Sequence, residues 1–291
     1  MTFKQTFEIV KTTMGATSIK DLETGEILHN PVGPWEESRD LYVKQSHLKE
    51  RLLDLTLSAP LVIYDVGLGA GFNAVAALEI FYNIKKSGEP SRDLQVISFE
   101  TNLKLIDFFL DHIQTFPESL FFENQLKGLR NTGVYIEKNL HWQLLGDFCT
   151  LDSLNLPAAE VVFFDPYSPQ KNPEMWSVKT FNLVEKHLNK EIPSCVLTYS
   201  TATPVRTAML LSGLFVGQGQ STGLKRETTF GATTLEALER PLGKRWMERW
   251  QRSHTAMPLG DHKLSLESIL KLLKTHPQFS YFSDEGLLQK R

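Results

Sequence analysis

The sequence predicts an α/β fold: a doubly wound, mostly parallel sheet with an antiparallel edge strand and small N- and C-terminal extensions. Three observations predict it. Short apolar runs alternate with helix-period segments, as βαβ units do. A glycine-rich turn, Asp65-Val-Gly67-Leu-Gly69-Ala-Gly71, joins the first of these runs to a helix. With 41% hydrophobic residues among 291, the chain has material for one large core or a medium core plus an appendage, but hardly for three domains.

Along the chain, residues 5–28 read as short extended segments around a turn at Thr24-Gly25, followed by the Pro- and Gly-punctuated HNPVGPW. From Glu36, Leu41, Leu48, Leu52 and Leu55 keep a near-helical spacing until Pro60. LVIYD (61–65) is a buried strand, Phe72 to about Lys86 a helix, LQVISFE (94–100) a second strand, and a helical run continues through Phe109. The alternation resumes with VVFFD (161–165), a helix after Ser177, the strand CVLTYS (195–200) and a helix from Val205 to Leu211. Leu214 to Gln218 and Glu227 to Ala232 complete an antiparallel edge. Residues 1–35 are expected to be an appendage, 36–232 the main domain, and 233–291 a basic, helical extension containing RPLGKRWMERWQR and SLESILKLLK.

Composition narrows the function. No run approaches the roughly 18 apolar residues of a membrane span, and the N-terminus lacks a signal pattern, so a cytoplasmic protein is expected. Cys149 and Cys195 belong to no CxxC pair or His cluster, which argues against a disulfide framework and structural zinc. A net charge of -3 excludes a globally basic nucleic-acid binder and confines any such contact to a local face.

The glycine turn is the first chemical signal. By itself it reads either as a tight strand-to-helix turn or as a dinucleotide site. A GxGxxG fingerprint needs glycine where Phe72 stands, and its ribose-binding acid roughly 20 residues on. Here the acid is Glu100, 35 residues past Asp65. A carboxylate directly before the glycines also repels a pyrophosphate, whereas it suits the ammonium of S-adenosylmethionine. That cofactor is therefore expected on Asp65, Gly67, Gly69 and Gly71, with Glu100 accepting from the ribose hydroxyls. Asp147 and Phe148, after a third apolar run, are placed for the adenine, although Asp147 reads equally as a helix cap.

VVFFD delivers Asp165 to the carboxyl edge of the sheet, and Pro166-Tyr167-Ser168-Pro169 forces an extended turn after it. Methylation of an aliphatic amine requires loss of a proton from an ammonium with a pKa of roughly 10.4, and a carboxylate beside the nitrogen can take it. Asp165 is the candidate catalytic residue, with capping of the next segment as the alternative. No metal is required by this chemistry.

The motifs DVGLGAGFN (65–73), ISFE (97–100), GD (146–147), DPYSPQKNPEMWS (165–177), TYSTATPVR (198–206) and GLKRETTFG (223–231) together resemble the methyltransferase part of the MnmC-type enzymes. The resemblance runs from about residue 30 to 232, and the loop after Asp165 is its specific signal. It implies a Rossmann-like class I methyltransferase fold, S-adenosyl-L-methionine as donor, and the amine of 5-aminomethyl-(2-thio)uridine at the tRNA wobble position as acceptor. Asp165 is then the catalytic acid residue, and Asn73 joins the cofactor set. Tyr42 and Gln45, within GPWEESRDLYVKQSHL, are placed to close over the cofactor, with packing as the other reading of Tyr42. The chain has no second Gly-rich motif for the family's FAD-dependent oxidase and is expected to be a stand-alone methyltransferase. The D-P-Y triplet also resembles the loop of amino-methyltransferases acting on nucleobases, which keeps another nucleobase, a protein or a small amine as alternative acceptors, beside a non-catalytic cofactor- or RNA-binding role.

For tRNA contact the candidates are Tyr167, Lys171, Asn172 and Trp176 in the loop, Arg206, Lys225 and Arg226 near the late strands, and Arg245 and Arg249 in the basic segment. There Trp246 and Trp250 stand at i and i+4 among Arg and Lys, a pattern that suits an anticodon loop or, alternatively, a helix burying both tryptophans and solvating its charges.

Overall fold

The structure, a computed structural model, describes residues 5–28, 31–221, 227–260 and 264–280. It opens with a hairpin, β1 (Phe7–Lys11) and β2 (Thr17–Asp21), paired antiparallel through a turn at Thr12 to Ala16. The turn expected at Thr24-Gly25 follows it. Asp21 builds that turn by accepting from the backbone N–H groups of Glu23 and Thr24.

The helix expected from Glu36 is broken into pieces. A short α1 (Pro34–Glu37) continues through π-helical turns (Ser38–Lys44), and α2 (Leu48–Leu53) restarts after His47, whose φ of 52° is left-handed. Leu41, Leu48 and Leu52 all reach the core, so the apolar spacing holds although the helix does not.

The central sheet follows, with β3 (Leu61–Val66), α3 (Phe72–Ser87), β4 (Leu94–Phe99), α4 (Lys104–Asp111), α5 (Glu123–Thr132), β5 (Val134–Glu137) and β6 (Leu140–Leu145). Then come β7 (Val161–Phe164), α6 (Val178–His187), β8 (Cys195–Thr198), α7 (Thr203–Leu211), β9 (Phe215–Gly219) and β10 (Thr228–Ala232). The strand order is β5-β6-β4-β3-β7-β8-β10-β9. The five inner strands from β6 to β8 are parallel, β9 and β10 form the expected antiparallel edge, and β5 adds a second antiparallel edge that the sequence reading lacks. The chain works outward from β3 on one side and then returns to its other side with β7. That reversal places the ligand crevice at the carboxyl ends of β3, β4, β6 and β7.

Alternation along the strands divides the interior into two cores. Leu61, Ile63, Val96, Trp142 and Phe163 face α3, α4, α5 and the N-terminal segments. Tyr64, Val66, Phe99, Val162 and Phe164 face α6 and α7, and the same core takes up α8 (Lys244–Gln251) and α9 (Leu266–Thr275). Trp246 and Trp250 are both buried there, and Trp250 Nε1 donates to Thr207. The amphipathic reading of this segment thus applies: its tryptophans are core residues. Gln278, on the final turn α10 (Pro277–Ser280), is fully buried and hydrogen-bonds both backbone groups of Val216 and the carbonyl of Leu242, closing part of the β9 edge. At the opposite end of the sheet, Arg92 and Glu160 form a buried ion pair beneath β3 and β7. Among the described residues no helix is long and apolar enough to cross a membrane.

Candidate functional site

Four strand ends converge on one cavity of about 880 Å³. The turn after β3 supplies Gly67, Leu68, Gly69 and Ala70 to its wall, β4 supplies Phe99 and Glu100, the segment after β6 supplies Asp147 and Phe148, and β7 supplies Asp165. Backbone bonds lock these ends together. Gly67 and Leu68 donate to the Phe99 carbonyl, Glu100 donates to Leu145, and Asp165 donates to Val66.

Glycine is required where the turn meets the chemical loop. Gly67 has φ 88°, and a Cβ there would stand 2.6 Å from the Asp165 carbonyl oxygen. Gly71, with φ 89°, serves the helix instead: it lies just before α3, where a Cβ would meet Leu126 at 2.8 Å, and it does not line the cavity.

Glu100 accepts from the Gly69 N–H at 3.0 Å and from the Asn102 N–H at 2.9 Å. Both oxygens are thereby oriented, and each carboxylate oxygen retains capacity for a further donor. Asp147 combines its two expected readings: its Oδ1 caps the following turn by accepting from Cys149 N, and the residue lines the cavity. Phe148 is buried edge-on to Phe99 at 5.1 Å. The donor set fits S-adenosylmethionine. Among the described residues the cavity lining offers Gly67 and Gly69, the Glu100 and Asp147 carboxylates and the Phe148 ring, and no lysine or arginine.

Asp65 sits differently from expectation. It is fully buried below the turn, where Oδ2 accepts from Ser98 and Oδ1 has no partner, and it does not line the cavity. Burial pushes its carboxyl up to about 7, against the Ser98 bond, with the Glu100 charge adding to the rise. Trp142 donates to the same Ser98 hydroxyl, which makes Asp65 an anchor for the ends of β3 and β4.

Asp165 keeps only a partial opening, onto the cavity. Asn73, second residue of α3, donates to its Oδ2 at 2.7 Å and in turn accepts from Ser38 at 2.6 Å. Burial, with the charge of the buried Glu37 adding to it and the Asn73 and Tyr42 hydrogen bonds opposing it, raises the Asp165 carboxyl to about 7. Glu37 lines the cavity too. The sequence reading passed over it because a Glu in a first helical turn is ordinary. Its burial is the signal, since an acid is rarely enclosed without a charge or hydrogen-bond reason.

The structure corrects several placements. Tyr42 is buried against Phe163, ring centroids 5.3 Å apart, beside Asp165 rather than over a cofactor. Gln45 lies outside the cavity: buried, it accepts from the Gln220 N–H and the Thr228 hydroxyl and so ties the π-helical segment to β10. Trp176 is fully buried and donates to the Tyr167 carbonyl, so it shapes the loop and offers no face to a base. Arg206 is buried and spent on Thr229, the Thr228 carbonyl and Glu227, which removes it from phosphate contact. Lys225 and Arg226 lie outside the described residues. Tyr167 and Asn172 line the cavity, whereas Lys171, Arg245 and Arg249 are exposed away from it.

The N-terminal hairpin forms one cavity wall, which the sequence did not announce. Phe7, Glu26, Ile27 and Leu28 line it, Tyr167 donates to Asp21 at 2.8 Å, and Ser168 donates to Glu26. These bonds fasten the loop after Asp165 to the hairpin.

A model of the S-adenosyl-L-methionine-dependent methyltransferases matches residues 132–234. The bifunctional protein MnmC of Vibrio campbellii, for tRNA 5-methylaminomethyl-2-thiouridine biosynthesis, is 28% identical over 247 residues, covering 74% of this chain and 36% of its own. The chain is a methyltransferase that uses S-adenosyl-L-methionine and is similar to the MnmC-type proteins. An uncharacterized protein of Methanocaldococcus jannaschii is 25% identical over 232 residues, covering 78% of the methyltransferase and 59% of its own length. The methyltransferase therefore spans between about a third and three fifths of these curated relatives. The crystal structure of MNMC2 from Aquifex aeolicus superposes with a TM-score of 0.69 at 22% identity, over 94% of this chain and 85% of that one, and so shows the shared fold.

Proposed function

We propose that the methyltransferase methylates the amine of 5-aminomethyl-(2-thio)uridine at the wobble position of tRNA. The observation that carries this reading is the Asp165 carboxyl, held by Asn73 at the cavity beside the glycine wall, with the buried Glu37 acid next to it. The named role of the Vibrio campbellii relative supports the choice of acceptor.

Gly67, Gly69, Glu100, Asp147 and Phe148 would hold the donor, leaving the Asp165 end of the cavity for the acceptor. An aliphatic amine arrives as its ammonium, with a pKa of roughly 10.4. Asp165, raised to about 7, accepts that proton far more readily than an ordinary carboxylate. S-adenosylmethionine held there would supply an activated methyl on a cationic sulfur, leaving as the neutral thioether once the amine nitrogen has lost its proton. Asn73 holds the receiving carboxylate in place during the transfer, so the protein's contribution is alignment and proton acceptance.

The exposed cations Lys244, Arg245 and Arg249 of α8, with Arg252 just after it, supply a local face for tRNA phosphates on a chain of net negative charge. We assign catalysis to residues 36–232 and this docking role to the C-terminal extension. A tRNA acceptor implies action in the cytoplasm.

The test is incubation of the pure protein with methyl-labelled S-adenosylmethionine and tRNA carrying aminomethyl, carboxymethylaminomethyl or unmodified wobble uridine. Label in the aminomethyl tRNA alone, recovered as the methylaminomethyl nucleoside, is expected. Label in protein or free amine, with none in aminomethyl tRNA, would move the acceptor to another class.

A further inference from the structure

Asp165 ends a chain of three hydrogen-bonded side chains drawn from three separate elements. The Ser38 hydroxyl, at the start of the π-helical turns, donates to Asn73 Oδ1 at 2.6 Å, and Asn73 Nδ2, in the first turn of α3, donates to Asp165 Oδ2 at 2.7 Å. Ser38 is 0% exposed and Asn73 4%, so neither bond is shared with bulk solvent. A serine inside a helix ordinarily turns to solvent or to a carbonyl of its own helix. The Ser38 hydroxyl is instead spent on a residue 35 positions away. The π-helical turns, a rare geometry that recurs at functional sites, also bring Tyr42 to the same carboxyl, where it forms a second hydrogen bond.

The direction of each bond follows from the chemistry of the groups. An amide oxygen only accepts and an amide NH2 only donates, so Ser38 gives its proton to Asn73 whenever Nδ2 faces Asp165. An ionised carboxylate, which only accepts, is satisfied by this orientation alone. With the amide turned over, Oδ1 would face Asp165 and only a protonated carboxyl could donate to it, while Ser38, able to accept as well as donate, would receive from Nδ2. Each orientation of Asn73 thus matches one protonation state of Asp165, and the structure holds the one that suits the ionised base.

We propose that Ser38 is a positioning residue for the proton-accepting carboxyl: by donating to Asn73 it fixes the amide with Nδ2 toward Asp165 and so favours the form able to take a proton from the acceptor amine. This deepens the reading above and rests on it for the identity of that amine. The titratable groups that act on Asp165, or on which it acts, are Glu37 of α1, Tyr42, Asp65 at the end of β3 and Tyr199 after β8. Burial and the two acids oppose its ionisation, and the Asn73 and Tyr42 hydrogen bonds favour it. Loss of the Ser38 proton weakens the Asn73 bond and frees the amide to turn and accept from the protonated carboxyl, and both effects stabilise the protonated form.

The experiment labels aspartate Cγ with carbon-13 in the full chain and follows Asp165, assigned by the resonance missing from Asp165→Asn, through a pH titration. In Ser38→Ala the Asp165 midpoint is expected to rise by about 0.5–1 pH unit, the worth of one neutral hydrogen bond expressed in pH. The acid limb of kcat/KM on aminomethyl tRNA moves with it, so activity falls about two- to fivefold at pH 7 and returns to within about twofold of wild type at pH 9. A merely structural role for Ser38 would lower activity alike at both pH values. Ser38→Thr and Ser38→Val have nearly the same volume, so any packing cost is common to both and their difference isolates the hydroxyl. Thr is expected to keep the wild-type midpoint, and Val to show the displacement seen with Ala. An unchanged midpoint in Ser38→Ala, or equal displacement by Thr and Val, overturns the proposal. The titration needs no acceptor, so a displaced midpoint in a protein that methylates no tRNA upholds the role of Ser38 and removes the wobble-uridine reading alone.

Discussion

Replacing Asp165 by Asn probes the proton-accepting step with the least change of shape. The amide retains a partner for Asn73, so the 2.7 Å contact to Asn73 Nδ2 can persist through the amide oxygen. It lacks the capacity to take a proton. An ordinary aspartate near 3.8 is a poor acceptor from an ammonium near 10.4, whereas Asp165 near 7 narrows that gap by about 4 kcal/mol, or a factor of about 10³ in the proton-transfer equilibrium. Mutational effects of general bases of about 10²–10⁴ bracket it. Asp165→Asn is therefore expected to lower kcat by about 10²–10³ on aminomethyl tRNA, with donor affinity within about threefold of wild type by calorimetry. Single-turnover methyl transfer, quenched and followed by nucleoside chromatography, isolates the chemical step. A variant that keeps kcat within fivefold of wild type refutes the assignment and returns Asp165 to a structural role.

Asp65 governs a pH dependence of stability. Its carboxyl stands near 7 in the fold against about 3.9 in an unfolded chain, so the folded state binds the extra proton between these values. The contribution is fully present below about 4 and is lost as pH rises through about 7. Asp165, also raised to about 7, adds in the same direction. The fall in thermal midpoint from pH 5 to 8 should be smaller in Asp65→Asn than in wild type, by an amount equivalent to about 1–4 kcal/mol, and parallel melting curves for the two proteins would contradict this. At Gly67, alanine adds a Cβ 2.6 Å from a backbone oxygen at φ 88°, so an activity loss of at least about tenfold and a destabilisation of about 1–3 kcal/mol are expected by denaturant titration. The double change Arg245→Glu with Arg249→Glu should raise the tRNA KM about tenfold or more, weaken the salt dependence of tRNA binding, and leave the thermal midpoint unchanged because both side chains are exposed. An unaltered salt slope in filter binding would dissociate α8 from the tRNA.

Much of the fold and part of the site were legible locally. LVIYD, LQVISFE, VVFFD and CVLTYS read as buried strands because parallel strands covered on both faces are near-continuous apolar runs, and all four are strands within a residue or two of the reading. The order of Gly67, Glu100, Asp147 and Asp165 along the chain sufficed to bring them to one edge, since each ends or follows a strand of the same direction. Less legible were residues whose position depends on distant partners. Val134–Glu137 is short and half exposed, with no periodicity to announce it as an edge strand. Arg206 looks like a free cation until Thr229 and Glu227 fold against it.

Sequence by itself determined the strand ends, the glycines that let a donor approach the backbone, and an acid at the carboxyl edge of β7, because these follow from backbone sterics and from which residues an apolar strand can carry. Only the tertiary structure decided what those acids can do. Asp65 became a buried anchor rather than a ligand, Asn73 became the holder of Asp165, and Glu37, 128 residues before Asp165 in the chain, became its neighbour. The physical reason is that enclosure and mutual charge set a carboxyl's proton affinity, and both depend on groups that meet only when the hairpin, α1, α3 and β7 pack around one cavity.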